Sequence, residues 1–201
     1  MCCRSRDKHS CISNRGDGKG EVEMTVDVYD DVLESHVREF IDISIRDLSW
    51  KYEYPSNVNR PGYHWHILAG HNPEGVVNNG FEWLQPIWDV AKYKFNFEEK
   101  YDLDTYKRLY LNGHTYGLSP NWHIDDGDFT MIYYPRMDWQ KNWGGGTMVE
   151  GTLGVNEYVE YVGNRLMVFD AKLRHQAQPV HRDCHELRTV VVFKCKRNKD
   201  V

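Results

Sequence analysis

The spacing of apolar positions changes near residue 106. Upstream, the chain mixes two periods. EVEMTVDVY, from Glu21, alternates and is rich in valine, which predicts a strand. Asp30 or Asp31 is then placed to cap a helix running to about residue 45, with Val32, Leu33, Val37, Phe40 and Ile41 on one face. Ser49–Tyr54 and Tyr63–Leu68 return to strand, separated by the loop PSNVNRPG. Val76 to about Lys94 reads as helical, with Pro86 expected to bend or interrupt it. Downstream, short alternating segments predict strands at Lys107–Leu111, Phe129–Tyr134, Thr147–Val149, Glu157–Tyr161, Arg165–Phe169 and Arg188–Lys194. Asn112-Gly113, Asp126-Gly127 and Gly163-Asn164 supply turn signals between them. The pattern predicts a mainly β fold with flanking N-terminal helices, as a sandwich or jelly roll. Residues 1–20 are polar and aperiodic and read as a disordered tail. Residues 21–201 read as a single domain with its β core at about 106–196, and internal repeats are absent from the sequence.

Composition narrows the class. The chain has 201 residues, 40% hydrophobic and 27% charged, which fits one soluble globular domain. The formal net charge of −5 disfavours a general nucleic-acid binder. Five cysteines form no regular disulfide framework, which points to a reducing compartment. Cys2, Cys3, His9 and Cys11 have no closed zinc-site spacing. The N-terminus has no apolar secretory stretch and the sequence no 18-residue apolar run, so a cytoplasmic location without a membrane span is expected.

The chemistry is concentrated around Trp122-His123-Ile124-Asp125. A His-x-Asp pair on extended chain puts both side chains on one face. With a distant histidine it forms the two-histidine, one-carboxylate triad. That triad suits iron(II), because three adjacent coordination positions stay open to a chelating cosubstrate and dioxygen. The pair alone is weak: about one is expected by chance in a chain of this composition, and there are two, the other being His181-Arg-Asp183. After Asp183 only His185 remains, too near to arrive from a separate strand. After Asp125 come His175, His181 and His185, and His175 is taken as the third ligand with the other two as competitors. Asp126 should point to the face opposite Asp125. Arg188 opens the apolar strand TVVVF. A buried arginine is costly unless paired. Its planar fork matches a carboxylate, so Arg188 is assigned to the distal carboxylate of a dicarboxylate cosubstrate, against the alternative of a structural Asp or Glu. His64-Trp-His66 raises a cupin-like reading with Glu74 and His114, but Glu74 is too far along for that motif, and these histidines are taken as cleft-wall or surface residues. His36 and His71 are taken as solvated.

Four ordered pieces, WHIDD, IYYPRMDWQKNWGGGTM, NRLMVFDAKLRHQAQPV and LRTVVVF, resemble the catalytic core of the prolyl-hydroxylase branch of iron(II)/2-oxoglutarate dioxygenases. The resemblance spans about residues 110–195, with the first hundred assigned by association. It implies a distorted double-stranded β-helix and a requirement for iron(II), 2-oxoglutarate and dioxygen, with ascorbate as an optional reductant. It assigns His123, Asp125 and His175 to iron and Arg188 to 2-oxoglutarate. It adds Tyr134 as a phenol donor to the cosubstrate and Thr147 and Met148 as packing beside it. Gly144 to Gly146 would admit close backbone approach. In LYLNGHTYGLSPNW, Asn112, His114 or Tyr116 takes the place of a tyrosine that the family often directs at the cosubstrate. The gap from His175 to Arg188 is longer than usual, which lengthens a hairpin around HRDCHE or brings in His181 or His185. The implied reaction hydroxylates an unactivated C–H bond and releases succinate and carbon dioxide. By analogy the substrate is a prolyl residue in a peptide or protein, and Trp122, Tyr133, Trp139 and Trp143 could line a groove for it or pack the core. The alternatives are a free amino acid, a small molecule or a nucleobase, or a non-catalytic binding module. The nucleobase branch carries a second arginine six residues beyond the clamp, where this chain has Lys194.

Overall fold

The computed structural model describes residues 26–55, 63–118, 120–151 and 154–198. The tail, the start of the first predicted strand, most of the loop PSNVNRPG, and Cys2, Cys3, His9 and Cys11 lie outside them.

The architecture is organised by its most apolar strand, β10 (Arg188–Cys195), in which every residue is buried. Continuous burial requires cover on both faces and a neighbour on each edge. β10 accordingly lies inside a seven-stranded sheet, with β5 (Phe129–Tyr134) on one side and β4 (Tyr106–His114) on the other. Beyond β5 come β8 (Arg165–Asp170) and β1 (Val26–Tyr29); beyond β4 come β3 (Tyr63–Gly70) and β2 (Lys51–Pro55). A second, three-stranded sheet is ordered β7 (Asn156–Val159), β6 (Thr147–Glu150), β9 (His175–Ala177). All the strand pairs are antiparallel.

Period-two alternation divides the core. Val191 and Phe193 of β10 join Leu109, Leu111, Met131 and Tyr133 under the helical layer. Val190 and Val192 face the other way and pack with Ile132, Tyr134 and Met167 against Val149 and Val159 of the small sheet. The helical layer includes α1 (Ser35–Arg46), α2 (Pro73–Asn78), α3 (Gln85–Asp89) and α4 (Phe97–Tyr101). Ile41 and Ile45 of α1 are completely buried, each burial stabilising by roughly 1.5–3 kcal/mol.

Several predicted elements differ. Helix α1 begins at Ser35, because Asp31 takes a left-handed conformation (φ 51°) and turns the chain first. Val32 and Leu33 are buried ahead of the helix, and Phe40 is exposed. The helix expected over 76–94 is broken at Asn79-Gly80, where Gly80 has φ 77°. A 3-10 turn (Glu82–Leu84), α3 and a π-helical turn (Val90–Lys94) replace it. Pro86 sits in the first turn of α3 and opens that helix instead of kinking one. Asn112-Gly113 is no turn. It lies within β4, where a Cβ on Gly113 would approach both Leu187 Cδ2 and Trp65 Cβ to 3.0 Å. The main sheet is not confined to the C-terminal half, because β1, β2 and β3 join it. No helix among the described residues is long and apolar enough to cross a membrane.

Candidate metal centre

The small sheet covers only part of one face of the large one. The cover lies over β5, β8 and the middle of β10, while the same face of β4 and β3 stays open as the wall of a cavity of about 790 Å³. Register sets that wall in rows. Arg188 pairs with His114, Val190 with Asn112, Val192 with Tyr110 and Lys194 with Arg108. β3 continues two rows, with His66 opposite Asn112 and Leu68 opposite Tyr110. β5 continues two on the other side, with Ile132 opposite Val192 and Thr130 opposite Lys194.

His123, Asp125 and His175 meet at the covered edge of this cavity. One ligand atom of each lies within 4.8 Å of the others. His123 Nε2 is 3.7 Å from Asp125 Oδ1, and His175 Nε2 is 3.2 Å from Asp125 Oδ2. Backbone pairing fixes the arrangement: His123 N–H donates to His175 O (3.0 Å), His175 N–H to His123 O (2.9 Å), and Asp125 N–H to Ala171 O (2.9 Å). Each imidazole also turns Nδ1 to a carbonyl two residues back, His123 to Asn121 O at 2.9 Å and His175 to Leu173 O at 3.0 Å. A carbonyl only accepts, so Nδ1 carries the proton and Nε2 presents its lone pair inward. Burial holds both imidazoles neutral, with pKa values pushed down to about 4. Two neutral imidazoles and a carboxylate on one point match the donor set for iron(II) with open positions, and the second ring nitrogens are already oriented.

Two neighbours of this cluster were not found from the sequence. Thr130 Oγ1 donates to Asp125 Oδ2 at 2.6 Å. Lys194, nearly inaccessible to solvent, lays its ammonium against the same carboxylate. Only the shared face of Lys194 and Arg188 was legible in the sequence. Lys194 shares a face with Arg188 at period two, and Thr130 is its cross-strand partner.

Arg188 is buried at the far end of the row pattern and lines the cavity. Its Nε donates to Gly145 O, and its Nη1 donates to His114 Nδ1 at 3.2 Å. Among the described residues no carboxylate lies within ion-pair reach of it. Gly145 has φ 75°, and a Cβ there would meet Arg188 Cδ at 3.0 Å, so glycine is needed for this approach.

The remaining expected residues are distributed unevenly. Thr147 lines the cavity. Tyr134 is buried behind it and gives its hydroxyl to Thr147 Oγ1 (2.7 Å), within 3.1 Å of Met167 Sδ. It is not part of the cavity wall. Met148 lies on the opposite face of β6 from Thr147 and Val149, as alternation demands, and does not reach the cavity. Asn112 and His114 are in the wall, whereas Tyr116 is exposed outside it. Asp126 binds Lys107 (2.9 Å) and Arg108 (2.6 Å) at the rim. His181 and His185 lie in the loop before β10, paired with Asp183 and Glu186, away from the triad. His64 and His66 converge on Asn112 Oδ1 at 3.2 and 2.8 Å, and Glu74 is not part of the cavity wall, so the cupin-like set does not assemble. Among the described residues, Trp122, Tyr133, Trp139 and Trp143 do not line the cavity, and Trp122 carries the Arg174 guanidinium 5.7 Å from its ring centroid. Tyr133 points into the helical core, and Trp139 and Trp143 pack on each other, with Trp139 Nε1 donating to Gly144 O.

No protein-family model matches the chain, and no curated protein sequence does. Solved structures match it over most of its length. A prolyl-4-hydroxylase from Pseudomonas putida aligns at a TM-score of 0.65 and 14% identity, covering 87% of this chain and 94% of that one. A 2OG-Fe(II) oxygenase family oxidoreductase from Burkholderia pseudomallei gives 0.65 and 14%, covering 88% and 87%. A prolyl hydroxylase from Trichoplax adhaerens, solved with a hypoxia inducible factor oxygen degradation domain peptide fragment, gives 0.59 and 13%, covering 86% and 83%. The chain therefore has the jelly-roll fold of these oxygenase structures.

Proposed function

We propose that this chain is an iron(II)- and 2-oxoglutarate-dependent dioxygenase that hydroxylates an unactivated C–H bond. The observation that carries the reading is a juxtaposition. A tautomer-fixed His-Asp-His cluster and a buried arginine with no carboxylate partner among the described residues share one cavity. A dicarboxylate cosubstrate would satisfy both.

In this reading His123 Nε2, His175 Nε2 and Asp125 hold iron(II). Thr130 donates to Asp125 Oδ2 and so orients the carboxylate that would hold the metal. Arg188 takes the distal carboxylate of 2-oxoglutarate, with His114 and Gly145 fixing its guanidinium. Thr147 borders the cosubstrate, and Tyr134 acts through Thr147 rather than by contact. Bound iron(II), 2-oxoglutarate and dioxygen supply the oxidising chemistry, with succinate and carbon dioxide as coproducts. Buried Ile132 and Val192, paired in the row next to Thr130 and Lys194, limit water beside the centre. No side chain is asked to act as general base. A prolyl residue in a peptide or protein is the substrate by analogy with the Pseudomonas and Trichoplax proteins, since fold alone does not fix it. The intact donor set argues against a non-catalytic module.

The test is spectroscopic. Anaerobic addition of iron(II) and 2-oxoglutarate should produce a weak visible charge-transfer band, and His123→Ala should abolish it. A wild-type protein that gives no band would sink the proposal.

A further inference from the structure

The open wall of the cavity carries a fixed hydrogen-bond donor that the proposed chemistry does not use. Asn112 lines the cavity from β4, half-buried, paired across to Val190 of β10 and His66 of β3. Its Oδ1 accepts from two rings at once, from His64 Nε2 at 3.2 Å and from His66 Nδ1 at 2.8 Å. A carboxamide oxygen only accepts, so those two nitrogens carry the protons. Two donors use both lone pairs of the oxygen and hold the carboxamide plane. The NH2 on the other side of that plane is held with it, and among the described residues no acceptor takes its protons. Across β10 it faces Val190 and Val192, which offer nothing polar. A few fixed polar groups among apolar ones are what orient a ligand in a cavity.

Position decides which ligand the donor meets. Resting on the proposed function, the cosubstrate has its two anchors at the metal cluster, on the covered edge of the cavity, and at Arg188 on β10. Asn112 stands one strand farther out, on the side that the small sheet leaves open. That is the side from which a substrate reaches the centre.

We propose that Asn112 donates a hydrogen bond to an amide carbonyl of the substrate, beside the residue that is hydroxylated. An NH2 group offers protons and no lone pair, so the group it reads is an acceptor. A neutral donor in a largely apolar row suits a neutral carbonyl. Because His64 and His66 already fix the carboxamide, little side-chain freedom is lost when the carbonyl arrives.

Sulfur-for-oxygen probes test the contact. The parent is acetyl-Ala-Pro-Ala-amide. In two further forms sulfur replaces one carbonyl oxygen, either that of the alanine before the proline or that of the proline. Sulfur is the poorer acceptor and leaves the outline of the peptide nearly unchanged. Each peptide is titrated anaerobically into the iron(II)–2-oxoglutarate complex, with binding read by calorimetry. One sulfur form should bind about fivefold more weakly than the parent, as loss of one neutral hydrogen bond requires. In Asn112→Leu the parent should weaken by about the same factor, and sulfur should cost nothing further. Affinity of that variant for 2-oxoglutarate, titrated separately, should stay within about twofold of the wild type. Equal binding of all three peptides to the wild type overturns the proposal, as does binding by none of them. Those comparisons need no variant, so they decide even if Asn112→Leu does not fold. A sulfur penalty that survives in Asn112→Leu also overturns it, since another group would then hold the carbonyl. So does a variant that loses only 2-oxoglutarate affinity, which would place Asn112 on the cosubstrate. If the wild-type visible band never forms, the proposed function falls and takes this inference with it. If the band forms and sulfur carries no penalty, only this inference falls.

Discussion

Two buried arginines in this fold have opposite surroundings. Arg136 is 2% exposed and Arg188 is 1% exposed. Arg136 lies within 3.3 Å of Asp42, 3.2 Å of Asp138 and 2.8 Å of Glu186, and it donates to Leu187 O. Asp42 in turn binds Arg46 at 3.0 Å, so the cluster ties α1 to the segment after β5. Arg188 meets a backbone carbonyl, a neutral imidazole and the face of Tyr161 instead. Burial lowers its pKa, so the fold works against its charge. A guanidinium surrounded by acids is part of the structure. One buried without acids, at a cavity wall, is stabilised by whatever anion enters.

This contrast is breakable by two substitutions that should fail in different ways. Arg136→Met leaves Asp42 and Glu186 facing a vacated, buried position. Removing one partner from such a cluster costs about 3–5 kcal/mol, so urea unfolding should show a large loss of stability. Arg188→Met removes a cation with no carboxylate partner, and a similar-sized apolar side chain there is about neutral or stabilising. Its unfolding midpoint should match or exceed that of the wild type. Its affinity for 2-oxoglutarate should instead drop by roughly 100-fold, because about 1.5–3 kcal/mol accompanies each charged hydrogen bond. A destabilised Arg188→Met protein, or one that keeps its cosubstrate affinity, would erase the distinction.

The same contrast explains what the sequence made legible. Strong alternation with unambiguous ends located β5 exactly where Phe129–Tyr134 predicted, and the starts of β8 and β10 at Arg165 and Arg188. Strand β9 was invisible, since three residues carry too little pattern. Asn112-Gly113 misled because the glycine answers a tertiary demand, close approach to Trp65 and Leu187, with no turn involved. Met148 was placed by family position, although its neighbour Thr147 already occupied the inward face. The triad could be ordered along the chain, but its meeting depends on the His123–His175 backbone pairing, which joins two segments far apart in sequence. Lys194 escaped because the group it touches, Asp125, lies on another segment.

The smallest expected effect sharpens the comparison through pH. Arginine only donates, so His114 Nδ1 must accept from Arg188 and its proton sits on Nε2. Burial, then Arg188, then His64 and His123 hold the His114 pKa well below the usual 6.5. The unfolded chain protonates His114 near 6.5, and the folded chain resists. Below that pH the unfolded state binds more protons, so stability falls as pH drops through about 6.5 and continues to fall toward the depressed folded value. His114→Gln removes that proton uptake. The slope of stability against pH between 6.5 and 5 should become shallower by up to about 1.4 kcal/mol per unit, the equivalent of one proton. The Arg136 cluster answers elsewhere. Asp138 has a pKa held below 3.8 by Arg46 and Arg136, so its contribution is present above that value and is lost only as pH falls through its still lower folded value. Urea midpoints for wild type and His114→Gln at pH 7 and pH 5 decide the point. If the two proteins lose the same stability on acidification, His114 does not hold the proton balance beside Arg188.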